Sequence, residues 1–261
     1  MPLHTTLSRL LLLPVILALA SACQSYTVPG TAADMRNLGL SPDVKRALTD
    51  PSIRAAADKR PLVSFPAAIA VAHIQGADYG HGRFAPCTYG GGNYSLITIR
   101  DVETEDDFIA LNKLPRVTGI VPLKRIIVSP NLQSDLELRA ASLQLHADLL
   151  LVYTFDTSFY TDTYVQPLTV ISLGIFPNKN AHVTTTASAL LLDTRTGYIY
   201  GVYEATSKDN QLANAWSSEQ AMDEARRRAE REAFSNLISQ FKTEWPAVLA
   251  NYDHPQRASR D

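Results

Sequence analysis

Two cysteines limit how this chain can hold a fold together. The first, Cys23, follows the apolar run Leu10–Ala20, and the second is Cys87. If Cys23 carries a lipid, no disulfide can form within the chain, so a packed core must hold the fold. Apolar residues make up 46% of the chain and charged residues 19%, which supplies enough apolar material for such a core.

Residues 1–22 have the parts of an export signal. A short polar start contains one positive charge, at Arg9, and the apolar run follows it. The run is shorter than the about 20 residues needed to span a bilayer, but its length is typical of a signal peptide. Ala20-Ser21-Ala22 before Cys23 resembles the lipobox of bacterial lipoproteins, with Leu19 one position too early. We therefore predict a signal peptide over 1–22 and lipidation of Cys23.

The position of the mature protein follows from this signal. The alternative is an ordinary secretory signal cleaved after Ala22, which would leave Cys23 without a lipid. Under the lipoprotein interpretation, Gln24 favours the outer membrane, because Asp at that position commonly marks inner-membrane retention. We expect an N-terminal lipid anchor on the periplasmic face of the outer membrane. The formal net charge of −2 gives no reason to expect nucleic-acid binding, which requires a basic excess.

Hydrophobic patterning predicts one main domain. We expect a lipidated tether over 23–61, a periplasmic domain over 62–249 and a polar tail over 250–261. The periodicity predicts strands at 67–74, 94–102, 117–121, 125–128, 148–156, 165–176, 183–193 and 198–205. This pattern, with the helices below, predicts an α+β fold: a mixed, largely antiparallel sheet packed against helices, with a long C-terminal helix.

Capping signals and apolar stripes predict the helices. The segment Thr104–Asp107 and the segment Ser134–Glu137 have the form of capping boxes. Behind the second box, one face is expected to carry Leu136, Ala140, Leu143 and Ala147. A third helix is expected to run to about Phe241, with an apolar stripe at Met222, Ala225, Ala229, Ala233, Leu237 and Phe241.

Three segments together are similar to a known architecture. They are the helix leading into Ala147–Val152, the hairpin Leu190–Gly197, in which Gly197 takes the left-handed position, and the Ala-rich last helix. This combination resembles the periplasmic α/β domain of the curli-secretion lipoprotein and of outer-membrane lipoproteins that activate peptidoglycan synthases. The resemblance covers roughly Pro66–Phe241 and carries over no functional residue. The connection 157–164 is too short for a membrane-inserting hairpin, which argues against a pore.

The sequence contains no pattern typical of a catalytic or metal site. The histidines at 73, 81, 146 and 182 lack metal-ligand spacing. Two alternatives remain open: a metal held by Asp78, His81 and Cys87, and a Cys87 thiolate with His81 or His73 as its base. The carboxylates at 105–107 fit a helix N-terminus, and Arg226–Arg228 with Arg231 fit a solvated, salt-bridged helix face. We predict no enzymatic activity, no cofactor and no metal.

Aromatic residues give the one indication of binding. Three of them surround the glycine-rich loop 76–94, and three lie on the expected connection after residue 156, a composition enriched at interfaces. These binding candidates are Tyr79, Phe84, Tyr89, Phe159, Tyr160 and Tyr164. We predict a non-catalytic binding or assembly module that contacts another envelope protein or itself. The alternatives are a small-ligand or envelope-polymer module that uses the loop and, third, a hydrolase or thiol enzyme.

Overall fold

The computed structural model describes residues 30–35, 38, 50–77, 92–98, 100–163, 179–213 and 218–253. The helices are α1 (Asp50–Ala57), α2 (Glu105–Asn112), α3 (Leu136–Gln144) and α4 (Ser218–Tyr252). The strands are β1 (Ala67–Gly76), β2 (Tyr94–Ile97), β3 (Val117–Pro122), β4 (Leu149–Thr163), β5 (Lys179–Asp193) and β6 (Ile199–Ala213). The predicted α+β fold is confirmed. Among the described residues, no helix is both long enough and apolar enough to cross a membrane.

The six strands form one mixed sheet in the order β2-β1-β4-β5-β6, with β3 also paired to β1. β1 runs parallel to β3 and β4 and antiparallel to β2. β4, β5 and β6 form an antiparallel meander in which each strand is 15 residues long. These three strands are much longer than the five or six residues usual in a globular protein.

The side chains of each strand alternate between the two faces of the sheet, and this divides the core into two layers. Odd-numbered side chains of β4, such as Leu151 and Tyr153, pack against α4 and α2. Even-numbered ones, such as Leu150 and Val152, pack on the other face with Leu138 of α3. Successive side chains of a strand point to opposite faces, so an apolar run such as 149–153 is buried on both.

The long helix α4 lies across β5 and β6. Its predicted apolar stripe is confirmed from Ala225 to Phe241, all of which is buried. The helix continues beyond the predicted end at Phe241 and contains Pro246. Within that extension Trp245 is fully buried, stacks on Phe241 with ring centroids 5.5 Å apart and donates its indole N–H to the Pro115 carbonyl oxygen at 2.9 Å.

The face predicted for α3 is wrong. The helix buries Leu138, Arg139, Ala141 and Ser142, whereas Leu136 and Leu143 are exposed. Arg139 faces inward because the buried Asp135 accepts from its Nε at 2.7 Å, and its Nη1 donates to the carbonyl oxygens after β5. The ion pair between Asp135 and Arg139, and not the period of the apolar residues, therefore determines which face of α3 is buried. The predicted capping box at Thr104–Asp107 is present. At the start of α3, Glu137 accepts from the Ser134 N–H as predicted, but the Ser134 hydroxyl accepts from the Leu136 N–H.

Three other element predictions need correction. Arg125–Ile127 is a 3₁₀ turn and not a strand, and β2 ends at Ile97. Residues 157–163, expected as a connection, continue β4 and pair with 179–185 of β5. The segment is rich in hydroxyl side chains and therefore resembles a loop in the sequence, although Ser158 and Tyr160 lie on the exposed face of a strand. The predicted strand at 165–176 lies outside the described residues.

Two segments before β1 are attached to this sheet. Ala32 pairs with Gln75 of β1, and the Ala33 N–H donates to Thr154 Oγ1 of β4 at 2.9 Å. Closer to β1, the Leu62 N–H donates to the buried Asp193 carboxylate at 2.8 Å. Asp193 also accepts from the turn N–H groups of Arg195 and Thr196, and Gly197 there has the predicted left-handed φ of 67°.

Candidate binding surface

On one face of the sheet, the described side chains in the outer halves of β4, β5 and β6 are exposed or half-buried. On this face the buried pair Leu150 and Val152 gives way along β4 to the exposed Asp156, Ser158 and Tyr160. The neighbouring strands continue it with polar residues that are exposed or half-buried: Thr184, Thr186 and Ser188 on β5, and Glu204, Thr206, Lys208 and Asn210 on β6. We call this set of residues the open face. The opposite side of the same strands is covered by α4.

Side-chain contacts across the strands order the open face. Tyr160, His182 and Asn210 stand in register across β4, β5 and β6. His182 Nδ1 and Asn210 Oδ1 are 2.7 Å apart, and the rings of Tyr160 and His182 lie 6.1 Å apart. One row along, the hydroxyls of Thr186 and Thr206 are 2.9 Å apart. Such cross-strand pairs stabilise a sheet without covering it.

Strand β6 forms an edge of the sheet. Among the described residues, β5 is its one strand partner. The Glu204 N–H points away from β5, because it donates to Gln240 Oε1 of α4 at 3.2 Å. In an antiparallel ladder the backbone groups of alternate residues point to the same side. The even-numbered residues of β6 therefore direct their N–H and C=O groups outward along this edge.

One row of α4 borders this edge. The row comprises Arg228, Glu232, Asn236, Gln240 and Glu244, spaced four residues apart. Arg228 Nε lies 2.7 Å from Asp209 Oδ2, and Glu232 accepts from the Ser207 hydroxyl at 2.7 Å. With the contact between Gln240 and Glu204, these pairs show that α4 runs antiparallel to β6. We call these five helix residues the border row.

The predicted aromatic candidates separate in the structure. Tyr160 is 65% exposed on the open face. Phe159, one residue earlier, points to the opposite side and is partly buried against Val183, Ala225 and Ala229 under α4. Both residues lie in β4 rather than in a connection. Cys23, Tyr79, Phe84, Tyr89 and Tyr164 lie outside the described residues.

A buried polar cluster lies under α4 near the end of β1. His73 Nδ1 is 3.1 Å from Glu103 Oε1, and the Tyr153 hydroxyl donates to the same oxygen at 2.5 Å. The His73 ring stacks on Tyr153 at 4.8 Å. Burial by itself raises the pKa of Glu103, but the interactions with His73 and Tyr153 hold that pKa below its ordinary value. Burial also raises the pKa of Tyr153, so the hydroxyl keeps its proton as a donor.

A second buried pair lies on α4 itself. Arg226 is 1% exposed, and its Nη1 donates to Glu230 Oε2 at 2.5 Å. Glu230 Oε1 accepts from the Thr157 hydroxyl at 3.1 Å. Burial raises the pKa of Glu230, and Arg226 opposes this shift. The solvated face predicted for the arginines is therefore wrong for Arg226, although Arg227 does pair with Asp223 at the surface as predicted.

The third charged contact joins α4 to α2. Arg231 donates from both terminal nitrogens to the two Asp107 carboxylate oxygens, and also to the Val102 carbonyl oxygen at 3.1 Å. Asp107 caps α2 at the same time, so this predicted helix-terminal carboxylate has a structural role. Among the described residues, no three His, Cys, Asp or Glu side chains are placed to hold a metal ion. Each charged cluster found here joins elements of the fold.

Sequence reasoning missed the His73 cluster and the edge strand. His73 lies in an otherwise apolar run, and a polar side chain in a buried strand needs a partner. That signal is present in the sequence, but the partner, Glu103, comes 30 residues later, between the predicted strand 94–102 and the predicted capping box. The edge position of β6 could not be predicted, because the position of a strand within a sheet depends on the order in which the strands pair, and a single sequence does not give this order.

Comparisons with known proteins assign no family to the chain. No protein-family model matches it, and no curated protein matches it. Among solved structures it matches a "putative lipoprotein" from Caulobacter crescentus CB15 at 15% identity and a TM-score of 0.26, over 43% of this chain and 80% of that chain. A likeness at this score supports no argument. The resemblance to curli-secretion and synthase-activator lipoproteins stays a prediction.

Proposed function

We propose that this chain is a lipid-anchored lipoprotein on the periplasmic face of the outer membrane that acts as a non-catalytic binding or assembly module. The anchor rests on the lipobox-like sequence before Cys23. The binding role rests on one observation above all, the open face and its edge. Three 15-residue strands are covered by α4 on one side and present Tyr160 and a row of polar side chains on the other. An ordered, solvated surface of this kind suits docking of another macromolecule.

Replacing Cys23 with Ala tests the anchor. A lipid is attached through the Cys23 thiol, so C23A is expected to lose labelling with radioactive palmitate and to leave the membrane fraction. Cys87→Ala is the matched control, because it removes the other thiol and is expected to change neither property. Labelling and membrane association that survive C23A would contradict the anchor. Density-gradient separation of the two membranes then checks the expected outer-membrane position.

A photo-crosslinking residue at position 160 tests the binding role. Tyr160 is the most exposed aromatic side chain on the open face, so a bound macromolecule is expected to lie within reach of it. The control is the same group at Leu143, which is 42% exposed on α3, a helix that packs beside Leu150 and Val152 at the other end of β4. We expect a defined crosslinked product in cells from position 160 and none from 143. Absence of a product from position 160, with the protein present at normal abundance, would contradict the proposal.

A further inference from the structure

We infer that β6 pairs antiparallel with β6 of a second copy of this chain, with the two-fold axis at Thr206. The two sheets then become one continuous sheet, and the two α4 helices lie side by side on the same face of it. This inference goes beyond the proposed function, because it adds contact with a second copy at the edge of the sheet and does not involve Tyr160, which lies two strands away on β4. Edge-to-edge pairing is isologous, as most dimer interfaces are.

The backbone of the edge allows this register. The backbone N–H and C=O groups of the even-numbered residues of β6 point away from β5, as the contact of the Glu204 N–H with Gln240 shows. An antiparallel pair centred on Thr206 places even-numbered residues opposite even-numbered residues. Thr206 then faces the partner's Thr206, and each exchanges N–H and C=O bonds with the other. A register shifted by one residue would bring outward groups opposite inward ones and lose these bonds.

The charged side chains of β6 are also complementary when the two-fold axis passes through Thr206. Glu204 and Lys208 lie two residues before and two residues after Thr206, on the open face, and both are exposed. In the proposed register Glu204 stands opposite the partner's Lys208, and Lys208 opposite the partner's Glu204. Opposite charges that face each other directly across antiparallel strands stabilise the pairing.

The border row of α4 has the same symmetry. Because α4 runs antiparallel to β6, the member of the row nearest the level of Thr206 is Asn236. The two-fold axis then places Asn236 near the partner's Asn236 and Glu232 near the partner's Gln240. It also places Arg228 near the partner's Glu244. Opposite charges thus meet in the helix layer as well, about the axis that the strands define independently.

The spacing of the layers leaves room for the helices. α4 packs on both β5 and β6, so its axis lies roughly over the gap between them. Strands are about 4.8 Å apart, which puts α4 about 5 Å from the two-fold axis and about 10 Å from the partner's helix. Packed helices lie about 8–10 Å apart. The pairing therefore continues both the sheet and the helix layer, and the two α4 helices do not clash.

One contact must change when the copies meet. The Gln240 side chain holds the Glu204 N–H and also donates to Glu244 Oε1 at 2.9 Å. All three side chains lie at the surface, and a rotation of Gln240 frees the N–H for the carbonyl oxygen of the partner's Lys208. Gln240 therefore caps the edge in the single copy and joins the interface in the pair.

Cysteine crosslinking at the axis tests the pairing. In a Cys87→Ala background the full-length protein has no thiol except the lipidated Cys23, so T206C supplies a single reactive group. T206C membranes treated with a short bifunctional maleimide are expected to give a homodimer. Thr184→Cys is the matched control: it lies on the same face but on β5, with the two copies of the residue well apart, so no homodimer is expected from it.

Charge exchange tests the register. K208E places two glutamates opposite each other on both sides of the axis, and we expect it to weaken self-association about tenfold or more in sedimentation of the full-length protein in detergent. The double variant E204K/K208E restores opposite charges in this register alone and is expected to recover wild-type association. A double variant that stays as weak as K208E would overturn the proposed register.

Crosslinking distinguishes failure of this inference from failure of the proposed function. No homodimer from T206C, together with a product of a different protein from position 160, overturns the pairing and leaves the binding module. No product from either position overturns both. Equal homodimer yields from T206C and Thr184→Cys also overturn the pairing, because they show random collision rather than a two-fold edge.

Discussion

Replacing Trp245 with Ala is expected to destabilise the domain by about 3–5 kcal/mol, a large part of the total stability of a single domain. Trp245 is 0% exposed and joins three parts of the core. It stacks on Phe241, meets the edge of the Phe65 ring at 5.8 Å and holds the Pro115 carbonyl oxygen. The alanine would leave a cavity that these neighbours cannot fill. Urea denaturation followed by circular dichroism measures the change.

Two variants calibrate the Trp245 prediction. Trp245→Phe keeps a ring in the site but removes the N–H donor to Pro115, so it is expected to cost less than half as much as the alanine. Lys242→Ala, at an exposed position one turn earlier on α4, is expected to stay within about 0.5 kcal/mol of wild type. A W245A protein with unchanged stability would mean that the last turns of α4 do not pack on the core.

Replacing Arg226 with Met is expected to destabilise the domain by about 3–5 kcal/mol at neutral pH, because it leaves the Glu230 carboxylate buried without its cation. Arg226 also donates to Asp223 from Nη2 at 3.0 Å, so two acids lose a partner. The effect depends on pH. Burial already raises the pKa of Glu230 above the ordinary value of 4.5, and loss of Arg226 raises it further.

The sign of the pH effect follows from this shift. A group whose pKa is raised in the folded state contributes stability below its unfolded pKa and loses it as pH rises through the folded pKa. The deficit of R226M relative to wild type should therefore shrink as pH falls from about 7 towards 5. Denaturation at several pH values measures it, and a deficit that does not depend on pH would contradict a charged, uncompensated Glu230.

Two further variants isolate the buried pair. R226M/E230L replaces both charges with apolar side chains and is expected to recover most of the stability that R226M loses, as is usual when a buried ion pair is removed together. Arg227→Met, next along the chain, breaks an exposed pair with Asp223 and is expected to cost at most about 1 kcal/mol. The contrast between Arg226 and Arg227 separates burial from charge as the cause.

The sequence predicted those elements whose apolar pattern agrees with their packing. The stripe from Ala225 to Phe241 repeats with the helical period, and each member is buried. The pattern failed on α3, where the buried face contains Arg139 and Ser142 and periodicity of apolar residues gives the wrong direction. It also failed on residues 157–163, because a strand with one solvated face and hydroxyl-rich composition resembles a loop.

The candidate site depended on information that one sequence does not contain. Tyr160 was a candidate for its residue type, and it is exposed as an interface residue should be. Its neighbour Phe159 is a candidate for the same reason but packs partly buried under α4, because 157–163 form part of a strand, whose side chains alternate, where a connection is expected. The outward groups of β6 follow from the strand order, which pairs β5 with β6 at the edge of the sheet.

The early attachment of residues 31–33 limits how far the domain can stand from a bilayer. The Thr31 carbonyl oxygen accepts from the Gly76 N–H at 3.0 Å, and Ala33 is held by Thr154. If Cys23 carries the lipid, Thr31 is the eighth residue after it, and a fully extended chain of that length reaches about 30 Å at most. The part of β4 beyond Thr154 is about as long. With a lipid on Cys23, this short connection would keep the domain at the membrane surface.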